Sequence, residues 1–282
     1  SLADIKCSVN WMWAAKQPGE GPEMYDAATA LRDLMIKLGM AADGGKDSLT
    51  MAAKVGDEVV KAPGQVVVSG YATMSDITKK VTPDIKQPGK SKLMLVDPSN
   101  GQYRLGGSAL AQALGQIGDD CPDVWDEEFL MEAFKAIQTL IEEDLILAQH
   151  DRSDGGLIAT VVEMAMAGNC GVNVGLSSMA KPLAKWFSEE LGWVIEYLPE
   201  HEKIIKQILT QKELTFAILG KTTLLKKVVI RQNGKILLAR ETSELLNWWE
   251  ATSDRLEREQ MNPVVAKEQA CRHSWNNSVY SL

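Results

Sequence analysis

The stretch His150-Asp151-Arg152-Ser153-Asp154-Gly155-Gly156-Leu157 sets two carboxylates, a hydroxyl and two glycines directly before an apolar helix. Leu157, Val161, Met164, Ala165 and Ala167 recur behind it at helical spacing. The N-terminus of that helix is therefore expected to turn backbone N–H groups and the positive end of its dipole back into the turn. Aspartate oxygens suit Mg2+, and a serine beside helix-start amides suits an anion. The same residues also fit a plainer reading, in which Ser153 or Asp154 caps the helix and the glycines only make the bend.

Composition narrows the field. The 282 residues are 45% hydrophobic and 24% charged, as in a soluble protein large enough for two modest cores. A formal charge of -8 argues against a nucleic-acid or membrane-surface binder, since neither counterion release nor anionic lipid would favour association. Any phosphate ligand must be held locally. Cys7, Cys121, Cys170 and Cys271 stand far apart with no C-x-x-C pair, which suggests neither a zinc ribbon nor a disulfide scaffold and fits a reducing cytoplasm. No apolar run long enough to span a bilayer and no signal-peptide pattern occurs. The chain starts at Ser1, and Asp4 to Trp13 already reads as the middle of a fold, so a piece of a longer polypeptide is expected.

Along the chain, Ile5 to Met12 alternates as a strand, and Pro22 to Leu38 carries Ala27, Leu31, Leu34, Met35 and Leu38 at helical spacing up to Gly39. After a glycine-rich turn from Asp43 to Asp47, Gln65 to Tyr71 is strongly β-branched. Residues 78–92 are rich in proline, lysine and glycine and mark a domain boundary. Beyond it, a strand is expected at Lys92 to Val96 and helices at Gly107 to Gln116, Glu127 to Glu143 and Gly155 to Ala167. Further strands are expected at Trp193 to Tyr197, Thr215 to Leu219, Lys227 to Gln232 and Lys235 to Arg240, the last two joined by the hairpin signal Asn233-Gly234. A helix with Trp248 and Trp249 runs from Ser243 to about Glu259, and Asn262-Pro263 opens a polar tail. This is α+β alternation of largely antiparallel character.

Two more glycine turns offer the same chemistry as the first. Asp43-Gly44-Gly45-Lys46-Asp47-Ser48 would let backbone approach an anion while Lys46 and Ser48 supply a cation and a hydroxyl, although an ordinary loop fits too. It is not a Walker A loop, and no G-x-G-x-x-G follows a strand. In Arg104-Leu105-Gly106-Gly107-Ser108-Ala109, Ser108 reads as a helix N-cap.

In their order, G-G-K-D-S, L-G-G-S-A-L-A-Q and H-D-R-S-D-G-G-L with E-M-A-M-A-G-N-C-G behind it resemble the phosphoribosylformylglycinamidine synthase family, the formylglycinamide ribonucleotide amidotransferases, in its large single-chain form. The resemblance extends through Asn10-Trp11-Met12, Lys16 to Glu20, Phe187 to Ile195 and Trp248-Trp249-Glu250, covering nearly the whole chain. It implies an α+β fold with a partial A-type domain over residues 1–86, similar to the N-terminal domain of aminoimidazole ribonucleotide synthetase, then a B-type α/β domain of the same superfamily over 87–245. Residues 246–282 would be a C-terminal helix and linker toward a glutaminase domain. The chain would be the second A–B repeat, with the opening strands of its A-type part lying before Ser1.

The resemblance further implies the ATP-dependent ligation of formylglycinamide ribonucleotide with glutamine-derived ammonia, in purine biosynthesis, with ATP or ADP and Mg2+ as cofactors. Asp151 falls on a metal-ligand position, and Ser153 on a nucleotide contact. Gly45 and Ser48 match the G-N-V-S turn of related small synthases, where Lys46 replaces the asparagine that ligates metal; a protonated lysine cannot do so, and phosphate contact is its expected role. Asp154 is expected to cap the helix or reach the metal through water. No catalytic residue falls in this chain, and His150, His201 and His273 are not evident bases, the last two reading as surface residues. Partners would be substrate, nucleotide and the rest of the polypeptide, with a homodimer formed across an unpaired sheet edge. The runners-up are a module holding nucleotide as structure only, and a free-standing ATP-dependent kinase or synthetase of the superfamily.

Overall fold

The computed structural model describes residues 1–177 and 181–270, so Cys271 and His273 lie outside the described residues. Two compact units form, one of residues 1–78 with 126–135 and the other of 79–125 with residues from 136 onward.

In the first unit β1 (Lys6–Met12) leads through α1 (Glu20–Leu38) to β2 (Ala41–Ser48), then to the hairpin β3 (Ala52–Val55) and β4 (Glu58–Lys61), and to β5 (Gln65–Tyr71). β1 is the middle strand, parallel to β2 and antiparallel to β5. Gly39 closes α1 at φ +72°, returning its N–H to Ile36. The expected turn at Asp43–Asp47 is instead the body of β2. A Cβ on Gly45 would stand 1.8 Å from the Val9 carbonyl oxygen, so the glycine serves close strand approach rather than a bend. The register slips between Cys7–Ala42 and Ser8–Gly44, leaving Asp43 as the extra residue, its carboxylate bonded to the Tyr71 hydroxyl. β2 and β5 are both edges, and Val66, Val67 and Val68 are 39%, 48% and 40% exposed, so both faces of β5 present apolar surface.

The second unit contains β6 (Lys92–Asp97), α2 (Ala109–Ala113), the C-terminal part of α3 (Glu127–Glu142) from Ala136 on, β7 (Ala148–Asp151), α4 (Gly156–Ala167), β8 (Gly171–Leu176) and α5 (Pro182–Phe187). It continues with β9 (Trp193–Tyr197), α6 (Glu202–Gln211), β10 (Thr215–Thr223), β11 (Lys227–Gln232), β12 (Lys235–Glu241), α7 (Thr242–Gln260) and α8 (Pro263–Ala270). Its sheet runs β12-β11-β8-β10-β6-β9-β7, with only the β8–β11 pair parallel. Asn233 and Gly234, at φ +49° and +79°, make the β11–β12 hairpin as expected. Leu93, Leu95, Val172, Val174, Val194 and Leu219 form one core with Leu157, Val161 and Met164 of α4, Trp186 of α5 and Leu245 of α7. Met94 and Val96 alternate to the opposite face and are equally buried.

Several elements lie outside the sequence reading, β7, β8 and α8 among them. β7 is a strand because β9 completes its ladder, although its four residues are too few and too irregular to declare themselves, whereas β8, paired with β10 and β11, does alternate through Val172, Val174 and Leu176. The segment after Asn262-Pro263 is helix α8, not an open tail, and Ala266 on it is buried. The 78–92 stretch, expected as a domain boundary, is pinned to the second unit's sheet: the buried Glu196 carboxylate accepts from Lys86 N at 2.8 Å, Gln87 N at 2.9 Å and Ser91 Oγ at 2.5 Å.

On β9's far side Glu202 accepts from Lys206 Nζ (2.7 Å), Lys92 Nζ (2.9 Å) and the Tyr197 hydroxyl (3.2 Å). The Lys206 hydrogen bond, then that of Lys92, holds its carboxyl down at about 2. A depressed carboxylate stabilises the fold above its unfolded value of 4.5 and loses that contribution as pH falls toward 2. The difference in urea midpoint between wild type and Glu202→Gln is therefore expected to be present at pH 7 and to close between pH 4.5 and 2; a difference independent of pH would contradict it.

Candidate functional site

The segment from Asp151 to Gly155 ends β7 and turns into α4. Side chains alternate along it. Asp151, Ser153 and Asp154 face solvent, while Arg152 points inward with its side chain 0% exposed. Its Nη2 meets Asp97 Oδ1 at 2.9 Å and the Leu191 carbonyl at 2.5 Å, and its Nε donates to the Glu190 carbonyl at 2.7 Å. Backbone Arg152 N donates to Gly192 O at 2.7 Å. An inward guanidinium thus fixes the loop that presents the exposed acid and hydroxyl.

The adjacent pair Glu189-Glu190 ties this loop to the third glycine turn. Glu190, fully buried, accepts Arg104 Nε at 2.7 Å and Nη2 at 2.9 Å, a bidentate pair, and also Arg104 N at 3.1 Å. Glu189 Oε1 accepts both Gly155 N and Ala109 N at 2.8 Å. Ser108 caps α2 as expected, its Oγ accepting Ala111 N at 3.2 Å. Asp154 does not cap α4: Gly155 is the N-cap, and its own amide is taken by the Glu189 side chain from another segment. Sequence reasoning missed Arg152, Asp97, Arg104, Glu163, Glu189 and Glu190. The available signal was the alternation of Asp151, Arg152 and Ser153 out of a strand, which requires the arginine to point opposite the other two.

Beside the loop lies a cleft of about 550 Å³, lined by Pro83, His150, Ser153, Glu163, Met166 and Trp249 among others. His150 is a bridge in its wall, with Nδ1 3.2 Å from Asp151 Oδ1 and Nε2 3.0 Å from Glu163 Oε2. Glu163 Oε1 also accepts the Trp249 indole N–H at 3.3 Å. The Glu163 hydrogen bond raises the His150 pKa above its ordinary value, against the opposing effect of burial and with the Asp151 charge adding. His201 is half-buried and bonded to Leu145 O at 3.1 Å rather than a free surface residue.

The Asp151 carboxylate is 67% exposed, which leaves a hard oxygen ligand open for a divalent ion. Among the described residues no three His, Cys, Asp or Glu side chains gather that could enclose a metal. In the first unit, Lys46 Nζ donates to Ser48 Oγ at 2.7 Å on β2, which brings those two candidates together two residues apart on one face, while Gly45 faces Val9.

A mostly antiparallel sheet of seven strands, covered by a helix that an acid- and glycine-bearing turn feeds, makes this an α+β module. The family model described as AIR synthase related protein, C-terminal domain, matches residues 90–232, and the chain belongs to that family. A second, the FGAR-AT PurM_N-like domain, matches residues 1–73. The chain is 50% identical over 260 residues to the probable phosphoribosylformylglycinamidine synthase, chloroplastic/mitochondrial, of Arabidopsis thaliana, covering 92% of this chain and 18% of that relative. It is 44% identical over 277 residues to the phosphoribosylformylglycinamidine synthase of Homo sapiens, covering 95% and 20%. The chain thus spans about a fifth of the length of these curated relatives. In fold it is similar to T. maritima PurL complexed with ATP (TM-score 0.58, 16% identity, 86% of this chain and 37% of that one) and to E. coli HypE, a hydrogenase maturation protein (TM-score 0.58, 17% identity, 84% and 72%). No helix among the described residues is long and apolar enough to cross a membrane.

Proposed function

We propose that this chain is a segment of a formylglycinamide ribonucleotide amidotransferase, an ATP-dependent carbon–nitrogen ligase of purine biosynthesis, and that it supplies nucleotide and Mg2+ ligands while being inactive alone. The observation that carries this reading is the fixed turn before α4, where Arg152 locks the backbone from within and Asp151 and Ser153 stand open to solvent. The identity to the full-length synthases supports it. So does the binding of ATP named for a structural neighbour.

In this reading Asp151 ligates Mg2+, which when bound neutralises charge on phosphoryl oxygens, and Ser153 donates its hydroxyl to the nucleotide. Lys46 and Ser48, backed by the flat surface that Gly45 allows, offer a cation and a hydroxyl to a phosphate in the first unit. The division into A-type residues 1–86, B-type 87–245 and a C-terminal 246–282 is supported by the spans of the two family matches. The exposed valines of β5 support pairing of the first unit with another such domain, in the same polypeptide or in a homodimer. Cys7, Cys121 and Cys170, free among the described residues, fit a cytoplasmic setting.

Calorimetric titration with ADP and ATP, with and without Mg2+, tests the assignment. Magnesium-dependent binding should fall at least about tenfold in Asp151→Ala, since removing one carboxylate from a metal shell removes a principal ligand. Binding unchanged in that variant would remove Asp151 from the site. Binding without turnover in the complete polypeptide would favour the purely structural nucleotide role.

A further inference from the structure

Glu189 sits where the turn's own chemistry would place an anion. A single carboxylate oxygen, Oε1, takes the N–H of Gly155 at the start of α4 and the N–H of Ala109 beside the Ser108 cap, each at 2.8 Å. Gly156 N, the next amide of α4, is already given to Ser153 O at 2.8 Å. The amides of the N-cap and of the first helical residue are therefore engaged from within the protein, and the positive end of the helix dipole is met by a fixed negative charge. A nucleotide arriving at Asp151 and Ser153 meets the exposed carboxylate of Asp151 and, where the turn enters α4, the carboxylate of Glu189, brought there from a segment 34 residues away. A bare phosphate would face like charge from both and find the amides of Gly155 and Gly156 already taken.

We infer that Glu189 makes anion binding at the Asp151–Ser153 turn obligately metal-dependent: by setting an internal carboxylate on Gly155 N and Ala109 N, it excludes phosphates that come without a divalent cation. The inference rests on the assignment of the turn to nucleotide and Mg2+ made above. Glu189 is a specificity-determining residue here, acting through charge and through the amides it holds, and it need not touch the ligand. A purely structural brace at the same place would require only an acceptor oxygen, whereas the selection against bare phosphate requires the negative charge. Glu189→Gln separates the two, since the amide side chain keeps a carbonyl oxygen for Gly155 N and Ala109 N and removes the charge.

The test is calorimetric titration of the complete polypeptide with ADP in excess EDTA and with ADP in excess Mg2+. It compares wild type, Glu189→Gln and Glu189→Ala, and reads the binding component that Asp151→Ala abolishes in Mg2+. Wild type is expected to bind Mg-ADP and to show at least about tenfold weaker binding in EDTA, the size of effect that adjacent like charges impose on a phosphate. Glu189→Gln should keep Mg-ADP binding and narrow that gap to within about threefold, with its thermal midpoint close to wild type. Glu189→Ala should narrow the gap likewise while lowering the thermal midpoint, because two amides lose their acceptor. The inference is overturned if Glu189→Gln retains the full wild-type gap, or if wild type binds ADP equally well without metal. If Asp151→Ala removes no component at all, the assignment of the turn itself falls and the inference falls with it.

Discussion

Replacing Arg152 with alanine should destabilise the chain by about 3–5 kcal/mol, the cost typical of stripping one partner from a buried ion pair. The side chains of Arg152 and Asp97 are 0% and 3% exposed, so the Asp97 carboxylate would be left without its cation in a region that water does not reach. Ser99 N at 3.1 Å and Ser99 Oγ at 2.6 Å would still donate to it, but neither carries charge. The carbonyls of Glu190 and Leu191 would lose a donor as well. Arg152→Lys keeps the charge but cannot reach three acceptors in one plane, and a smaller loss is expected. Urea denaturation of the purified variants measures both. A loss below 1 kcal/mol in Arg152→Ala would mean that the loop is held by its backbone alone. The functional corollary is that Arg152→Ala weakens nucleotide binding at temperatures where the chain remains folded, since Asp151 and Ser153 flank the residue that anchors them.

The turn before α4 was legible in sequence as a chemical object, and its orientation was not. Two aspartates, a serine and two glycines before an apolar run state what a turn can bind. That Arg152 points inward and Glu189 reaches across from 34 residues away depends on which strands pair, which a periodic reading of one segment does not contain. Long, regular elements such as α1, α4 and the β11–β12 hairpin declared themselves because spacing and turn chemistry are local. β7, with the sequence Ala148-Gln149-His150-Asp151, carries no strand pattern and is extended only because β9 offers it a ladder. The G-G-K-D-S stretch misled in the opposite direction. Glycines commonly mark turns, yet at Gly45 the missing Cβ admits a neighbouring backbone instead. Local composition was the same in both cases, and tertiary approach decided.

Gly156 is the position where the two constraints coincide, and Gly156→Ala is expected to cost about 3 kcal/mol or more, combining a left-handed backbone with a clash that rigid atoms cannot relieve. Its φ is +70°, and a Cβ there would stand 2.7 Å from the carbonyl carbon of Phe187 and 2.8 Å from Ser188 O. Those are backbone atoms of the segment leading to Glu189 and Glu190, so relief would require moving the residues that hold Gly155, Ala109 and Arg104. Gly234→Ala supplies the comparison. At φ +79° with nothing within 4 Å of the added carbon, it carries only the backbone cost, about 1–2 kcal/mol. The excess of Gly156→Ala over Gly234→Ala in urea titrations then reads the steric term. Equal losses would show that the Phe187–Ser188 segment yields freely. In that case the contacts of Glu189 and Glu190 would be too soft to fix the turn, and the site would owe its geometry to Arg152 alone.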